Sequence, residues 1–210
     1  LQKKFYNFKK KPSLIIGTGS EGRKQVFKIY KKGFVYKSLP SFNVLWHKEK
    51  PVVDQKYVVF VEENVDISPD ANLFGQNNPA HDVKGYYKRI NDVLEKVENW
   101  TNLKVIIGAS GKYDYKVNPF KNRKIIYKKT SNLIQHSELV LGHKSSALKQ
   151  AIADYKPLLI LKDQGFENEK NELIDSLARC YRLNSVWTNK LTKTYFKKNN
   201  QVNKALYNKA

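Results

Sequence analysis

The chain has 210 residues, 40% of them hydrophobic and 12% aromatic. That is enough to bury the core of one α/β domain, and too apolar for a disordered chain. No apolar run reaches membrane-spanning length, no signal-peptide core opens the chain, and a single cysteine, Cys180, excludes a disulfide framework and a thiolate metal site.

Cys180 falls at the end of a predicted helix and reads as a packing residue, and a cytoplasmic setting is the default expectation. The net charge is +20, from 39 Lys and Arg against 19 Asp and Glu. Such a field attracts polyanions: nucleic acid, anionic lipid or phosphorylated small molecules. The same charge would equally coat the solvated surface of a Lys-rich protein. It is densest at Lys3–Lys11 and Lys190–Lys209. The chain begins at Leu1 and contains no methionine. The expectation is a piece of a longer protein, with residues 1–50 a partial N-terminal domain.

In chain order, residues 1–12 are basic and irregular. Leu14–Ile16 is a short strand, and it runs into Gly17-Thr18-Gly19-Ser20-Glu21-Gly22, a literal G-x-G-x-x-G. A dinucleotide fingerprint needs a helix directly after the glycines and an acid about 20 residues on. Arg23–Tyr30 lacks helical spacing, and Leu39–Asn43 contains no acid. The motif therefore reads as a strand and a glycine loop, with a phosphate-touching loop as the alternative. Val26–Tyr30 and Phe34–Lys37 are two further short strands around Gly33. Ser38–Lys56, with Pro40 and Pro51, is loop-like and marks the domain boundary.

Beyond it the pattern changes. Tyr57–Val61 is a continuous apolar run, as in a strand buried on both faces. Glu62–Pro79 is a long polar connection, a length that usually carries function. Asp82 is a fair N-cap for a helix whose apolar stripe is Val83, Tyr86, Tyr87, Ile90, Leu94 and Val97. Strands are predicted at Lys104–Ile107, Lys124–Tyr127, Leu139–Leu141 and Pro157–Leu161. Helices are predicted at Thr130–Glu138, Ser145–Asp154 and Glu167–Tyr181, the last with Leu173, Ile174, Leu177 and Ala178 inward. This alternation predicts a mainly parallel, Rossmann-like sheet with helices on both faces, an α/β fold spanning residues 51–185. A short β-rich segment precedes it, and a basic tail or helix follows at 186–210.

Ligands of such sheets bind outside the carboxyl ends of the strands, so the useful residues should follow Val61, Ile107, Tyr127, Leu141 and Leu161. After the second strand come Ser110, Gly111 and Lys112. The small residues admit a ligand to the backbone, and Lys112 could meet a phosphate; an ordinary turn reads the same way. The spacing is not that of a P-loop. The richer end is Gly142-His143-Lys144-Ser145-Ser146, a strand entering a helix. Ser145, Ser146 and free N–H groups there form an expected anion site, with His143 and Lys144 at its mouth. The alternative is that the serines only cap the helix. No Cys, His or carboxylate cluster has metal-site spacing.

The Gly-His-Lys-Ser-Ser element and the Lys156-Pro157 that leads into the next strand resemble the donor-binding half of GT-B-type glycosyltransferases. More narrowly, Ser38–Asp163 is similar to bacterial surface-polysaccharide biosynthesis proteins of the capsule and lipopolysaccharide type. The likeness rests on Ser41-Phe42-Asn43, Ser68-Pro69-Asp70, Asn118–Ile126, Lys129-Thr130 and the Gly-His-x-Ser element, in that order. Ser68 stands where relatives often have His, Ser110-Gly111 where they often have His-Pro, and Gln150 near the acid that commonly holds the ribose.

The resemblance implies transfer of a sugar from a nucleotide-sugar to a glycan or lipid-linked glycan acceptor, with no cofactor beyond the donor and no metal. Ser145 and Ser146 would hold the donor phosphate, with Ser110, Gly111, Thr130, Gly142 and Gln150 also contacting the donor. His143 and Lys112 would offset charge on the leaving phosphate. Asp70 would be the base, ahead of Asp66 and Glu63. A basic surface would hold the protein on anionic lipid at the inner leaflet. Two rivals remain: a noncatalytic module that binds a sugar nucleotide or a partner enzyme, and a nucleic-acid binder that uses Lys interleaved with Tyr and Phe. No zinc, RRM or KH signature supports the last.

Overall fold

Uninterrupted apolar runs such as Tyr57–Val61 have no polar face to turn to water, so they must be covered on both sides. The computed structural model describes residues 49–65, 80–111 and 114–199, which belong to the compact unit beginning at Glu49. The glycine motif, the strands expected before residue 38, and the loop carrying Asp66 and Asp70 lie outside the described residues, as does Lys112.

The elements are β1 (Tyr57–Val61), α1 (Val83–Thr101), β2 (Lys104–Ala109), β3 (Ile125–Tyr127), α2 (Thr130–His136), β4 (Leu139–Gly142), α3 (Leu148–Ala153), β5 (Leu158–Lys162), α4 (Asn168–Cys180), β6 (Ser185–Trp187) and α5 (Lys193–Asn199), with a 3₁₀ turn at Thr188–Lys190. The strands form one sheet in the order β3-β2-β1-β4-β5-β6. Every neighbouring pair is parallel. This is the α/β, Rossmann-like sheet expected. The chain steps outward from β1 to β3, crosses back to β4, and steps outward again to β6. Right-handed crossovers put α1 on one face and α2, α3 and α4 on the other.

The order reverses between β1 and β4, where Val61 lies opposite Gly142. On the other side of β1, Val61 lies opposite Gly108. These are the carboxyl ends of the three central strands. All five residues of β1 are buried, as are all four of β4. The edge strand β3 is only half-buried.

Helix α1 starts where its cap predicts. The Asp82 carboxylate accepts from the Gly85 N–H at 2.9 Å, satisfying one of the amides a helix start leaves open. It ends at Asn102, whose backbone is left-handed (φ 56°) and whose N–H returns to the Glu98 carbonyl. Tyr86, Ile90, Leu94 and Val97 face the core as expected, joined by Val93 and Asn91. Residues 49–52 return along α2. Asn132 donates to the Lys50 carbonyl at 2.8 Å and accepts from the Val52 N–H at 3.1 Å.

Three expectations need correction. Helix α3 starts at Leu148 rather than Ser145, because the serines form a turn of their own. Leu173 is half exposed rather than inward, and Ile174 and Ala178 carry that face of α4. Cys180 is exposed rather than packed. Residues 186–199, read as a basic tail or helix, hold most of β6 and then α5. Phe196 of α5 packs on Trp100 of α1, with ring centroids 5.2 Å apart. Among the described residues no helix is long and apolar enough to cross a membrane.

Candidate functional site at the strand-order reversal

A parallel sheet opens a crevice where its order reverses, because the loops on either side depart in opposite directions. Here the crevice lies between the loop after β1 (Glu62, Glu63, Asn64) and the loop after β4 (His143 to Ser146).

His143 follows the last residue of β4 and is fully buried. Its Nδ1 lies 2.8 Å from the Leu161 carbonyl. A carbonyl only accepts, so Nδ1 carries the proton. The other nitrogen, Nε2, therefore accepts from the Tyr86 hydroxyl at 3.1 Å. Phe60, Tyr86 and Phe166 surround the ring, with centroids 5.7, 5.7 and 4.9 Å away. Burial holds its pKa below the ordinary value, and the imidazole is neutral. Burial, then the charge of Glu62, pushes the Tyr86 hydroxyl well above its usual range, so it remains a donor. His143 thus lies behind the loop and ties the ends of β4 and β5 to α1.

Ser145 is half-buried and Ser146 exposed. The Ser145 hydroxyl accepts from the Ala147 N–H at 3.3 Å. The N–H groups of Leu148, Lys149 and Gln150 turn back to the carbonyls of Ser145, Ser146 and Ala147 at 3.1, 3.3 and 3.0 Å. The N–H groups of residues 147–150 are therefore occupied within the turn. What this segment offers a ligand is the Ser146 hydroxyl, the Lys144 side chain and the edge of Ser145. Gly142 has no room for a side chain. A Cβ there would stand 2.8 Å from Cδ2 of Leu148, a fully buried residue.

The other expected residues separate. Ser110, after β2, accepts from Asn64 Nδ2 at 3.1 Å and so joins the crevice. Gly111 is exposed beside it. Thr130 opens α2, with its hydroxyl 3.5 Å from the Ala109 carbonyl, which places it at the ends of β2 and β3. Gln150 is buried, and its amide nitrogen is committed to the Ser131 carbonyl at 3.2 Å and to Asp154 at 3.1 Å. It braces α3 against α2, and its donors are used there.

Lys170 escaped the sequence reading at this edge, and Glu63 was read there only as a candidate base behind Asp70 and Asp66. Glu63 accepts from the Lys144 backbone N–H and lies 3.7 Å from the Lys170 ammonium. Lys170, in the first turn of α4, is largely buried and sits 4.0 Å over the Phe166 ring. Burial lowers its pKa, partly offset by Glu63. Asn64 has a left-handed backbone (φ 51°), and its side-chain oxygen is buried without a hydrogen-bond partner.

After β5, Asp163 is fully buried. Arg89 of α1 grips it with Nε at 3.1 and 3.0 Å and Nη2 at 2.6 Å. The Thr188 hydroxyl and the Gly165 N–H add bonds at 2.6 and 2.8 Å. Asp163 follows Leu161 by two residues, so the strand-end rule pointed there. Its side-chain partners Arg89 and Thr188 lie 74 and 25 residues away and leave no local trace. Among the described residues no group of three or more His, Cys, Asp or Glu is placed to hold a metal ion.

No protein-family model matches the chain, and no curated protein does. Solved structures with a similar backbone include the glycosyltransferase SnogD from Streptomyces nogalater, at 10% identity and TM-score 0.44, over 79% of this chain and 38% of that one. Spinosyn forosaminyltransferase SpnP matches at 14% and 0.37, over 77% and 36%. Spinosyn rhamnosyltransferase SpnG, solved with thymidine diphosphate, matches at 14% and 0.40, over 72% and 36%. The chain thus spans less than two-fifths of the length of each.

Proposed function

We propose that this chain is the nucleotide-sugar-binding part of a glycosyltransferase-like protein of bacterial surface-polysaccharide synthesis, of the capsule or lipopolysaccharide kind. One observation carries the reading: the Gly142–Ser146 loop stands at the point where the order of a parallel sheet reverses, the usual ligand crevice of this architecture. Ser110, on the neighbouring strand end, is tied to the same crevice through Asn64.

In the proposed reaction an acceptor hydroxyl oxygen attacks the anomeric carbon of the donor sugar. The bond from that carbon to the phosphate oxygen breaks, and its electron pair leaves with the phosphate. The hydroxyl proton passes to a carboxylate, for which Asp70 is the candidate. Lys144 and the hydroxyls of Ser145 and Ser146 face the phosphate, with Lys112 a further cation for its charge. Gly142 keeps the strand end narrow enough for close approach. His143, neutral and enclosed, acts by positioning the loop. The acceptor is a glycan or lipid-linked glycan, and the +20 charge would hold the protein at an anionic inner-leaflet surface.

The enclosure of His143 also favours a second reading, a noncatalytic module that binds the sugar nucleotide without turnover. Thermal-shift measurements on the whole chain with CMP, UDP, GDP, ADP and their sugar conjugates test both. Stabilisation by one nucleotide family, lost in Ser145→Ala/Ser146→Ala, is the expected result, and sugar release from the bound conjugate separates enzyme from module. No shift with any nucleotide would overturn the proposal.

A further inference from the structure

A carboxylate already sits where an anion would be received. Glu63 leaves the end of β1, Lys144 the end of β4, and Lys170 the first turn of α4. Those elements meet at the order reversal. The Glu63 carboxylate takes the Lys144 backbone N–H and faces the Lys170 ammonium.

The pairing is incomplete. At 3.7 Å the Lys170–Glu63 contact is longer than the roughly 2.7–2.9 Å of a charge-assisted hydrogen bond. The Lys170 side chain is about nine-tenths buried. Its ammonium also lies over the face of Phe166, which attracts charge but accepts no strong hydrogen bond. An ammonium held between a long carboxylate contact and a ring face can still close on a nearer anionic partner.

We propose that Glu63 is a built-in occupant of an anion site formed by the Lys144 N–H and the Lys170 ammonium, and that a phosphate or diphosphate group binds by displacing it. A phosphoryl oxygen takes over the backbone donor, and Lys170 closes on a second oxygen at hydrogen-bonding distance. Glu63 swings out to solvent, and its negative charge sets a threshold that weakly charged anions do not cross. The site deepens the nucleotide-sugar reading by naming groups that receive the phosphate. It stands on this chain's own contacts, so it can be tested without base or sugar.

The test is calorimetric titration of the whole chain with inorganic pyrophosphate. Glu63→Gln keeps an oxygen for the Lys144 N–H and removes the competing charge. It should bind pyrophosphate on the order of ten-fold more tightly than the parent. Adding Lys170→Gln to that variant should remove the gain, whereas Lys96→Gln, an exposed cation on α1, should leave it intact. Equal or weaker binding by Glu63→Gln overturns the displacement. A gain that survives Lys170→Gln overturns the site and assigns binding to the diffuse positive surface. If Glu63→Gln fails to fold, Glu63→Asp decides. Its carboxylate is withdrawn by one methylene, and the same gain is required of it. Pyrophosphate binding of the expected pattern, with no response to any nucleotide, would keep this site and refute the nucleotide-sugar reading alone.

Discussion

Replacing Arg89 with methionine should be among the most damaging single changes on this side of the sheet. Asp163 is fully buried, and the guanidinium supplies three of its contacts, at 2.6–3.1 Å. Methionine fills much of the same space and supplies none of the donors. The carboxylate then keeps only the Thr188 hydroxyl and the Gly165 N–H, with no positive charge against it. Stranding one member of a buried ion pair costs about 3–5 kcal/mol. That is a large share of the roughly 5–15 kcal/mol that holds an ordinary domain together. Adding Asp163→Asn removes the stranded charge, and the amide oxygen still accepts from Gly165. The double variant should therefore recover about 2 kcal/mol or more, which is the signature of direct coupling. Urea unfolding followed by circular dichroism, at about 0.15 M and about 1 M salt, reads both quantities, and the loss should persist in high salt because a buried pair is poorly screened. A loss below about 1 kcal/mol, or one abolished by salt, would mean that the pair behaves as a solvated surface bridge and not as a buried one.

Three further outcomes follow from the same edge of the sheet. Burial keeps the His143 imidazole below its ordinary pKa of 6.5, so below that pH the unfolded chain binds a proton that the folded chain refuses. Its contribution is complete above about pH 6.5 and is lost as pH falls toward the folded value, by up to about 1.4 kcal/mol per pH unit. Urea midpoints measured from neutral pH down to about pH 5 should show this slope in the parent and less of it in His143→Gln; identical slopes would contradict the assignment. Tyr86→Phe leaves His143 Nε2 buried without its donor and should cost about 1–3 kcal/mol, read as a fall in Tm that is absent when His143 is replaced by Phe as well. Gly142→Ala drives a methyl group to 2.8 Å from Leu148 and should cost about 1–3 kcal/mol by overpacking. It should also weaken nucleotide binding by shifting the Lys144–Ser146 loop, whereas unchanged stability would show that Leu148 can yield.

Periodicity and capping made the framework legible. Tyr57–Val61 reads as a strand covered on both faces because it has no polar alternate residue, and α1 reads from Asp82 because one carboxylate and one stripe mark its start and its buried side. β6 was missed because Ser185–Trp187 is three residues long, too short to show a period. The start of α3 was misplaced because Ser145 and Ser146 resemble caps. In the folded chain Ser145 turns its hydroxyl onto Ala147 and the helix begins later. Leu173 looked inward by composition, but its angle on α4 faces solvent.

By itself, then, the sequence determined the alternation of strands and helices, the parallel sheet, and the strand end at Gly142-His143 where chemistry was sought. These depend on neighbours within a few residues, whose spacing is visible in the string. Only the tertiary structure decided that His143 is enclosed and neutral, that the N–H groups of residues 147–150 are already used, and that Glu63 faces Lys170 while Arg89 holds Asp163. Those pairings join residues tens of positions apart. Their strength comes from shared burial, a property of the packed sheet that no local stretch of sequence carries.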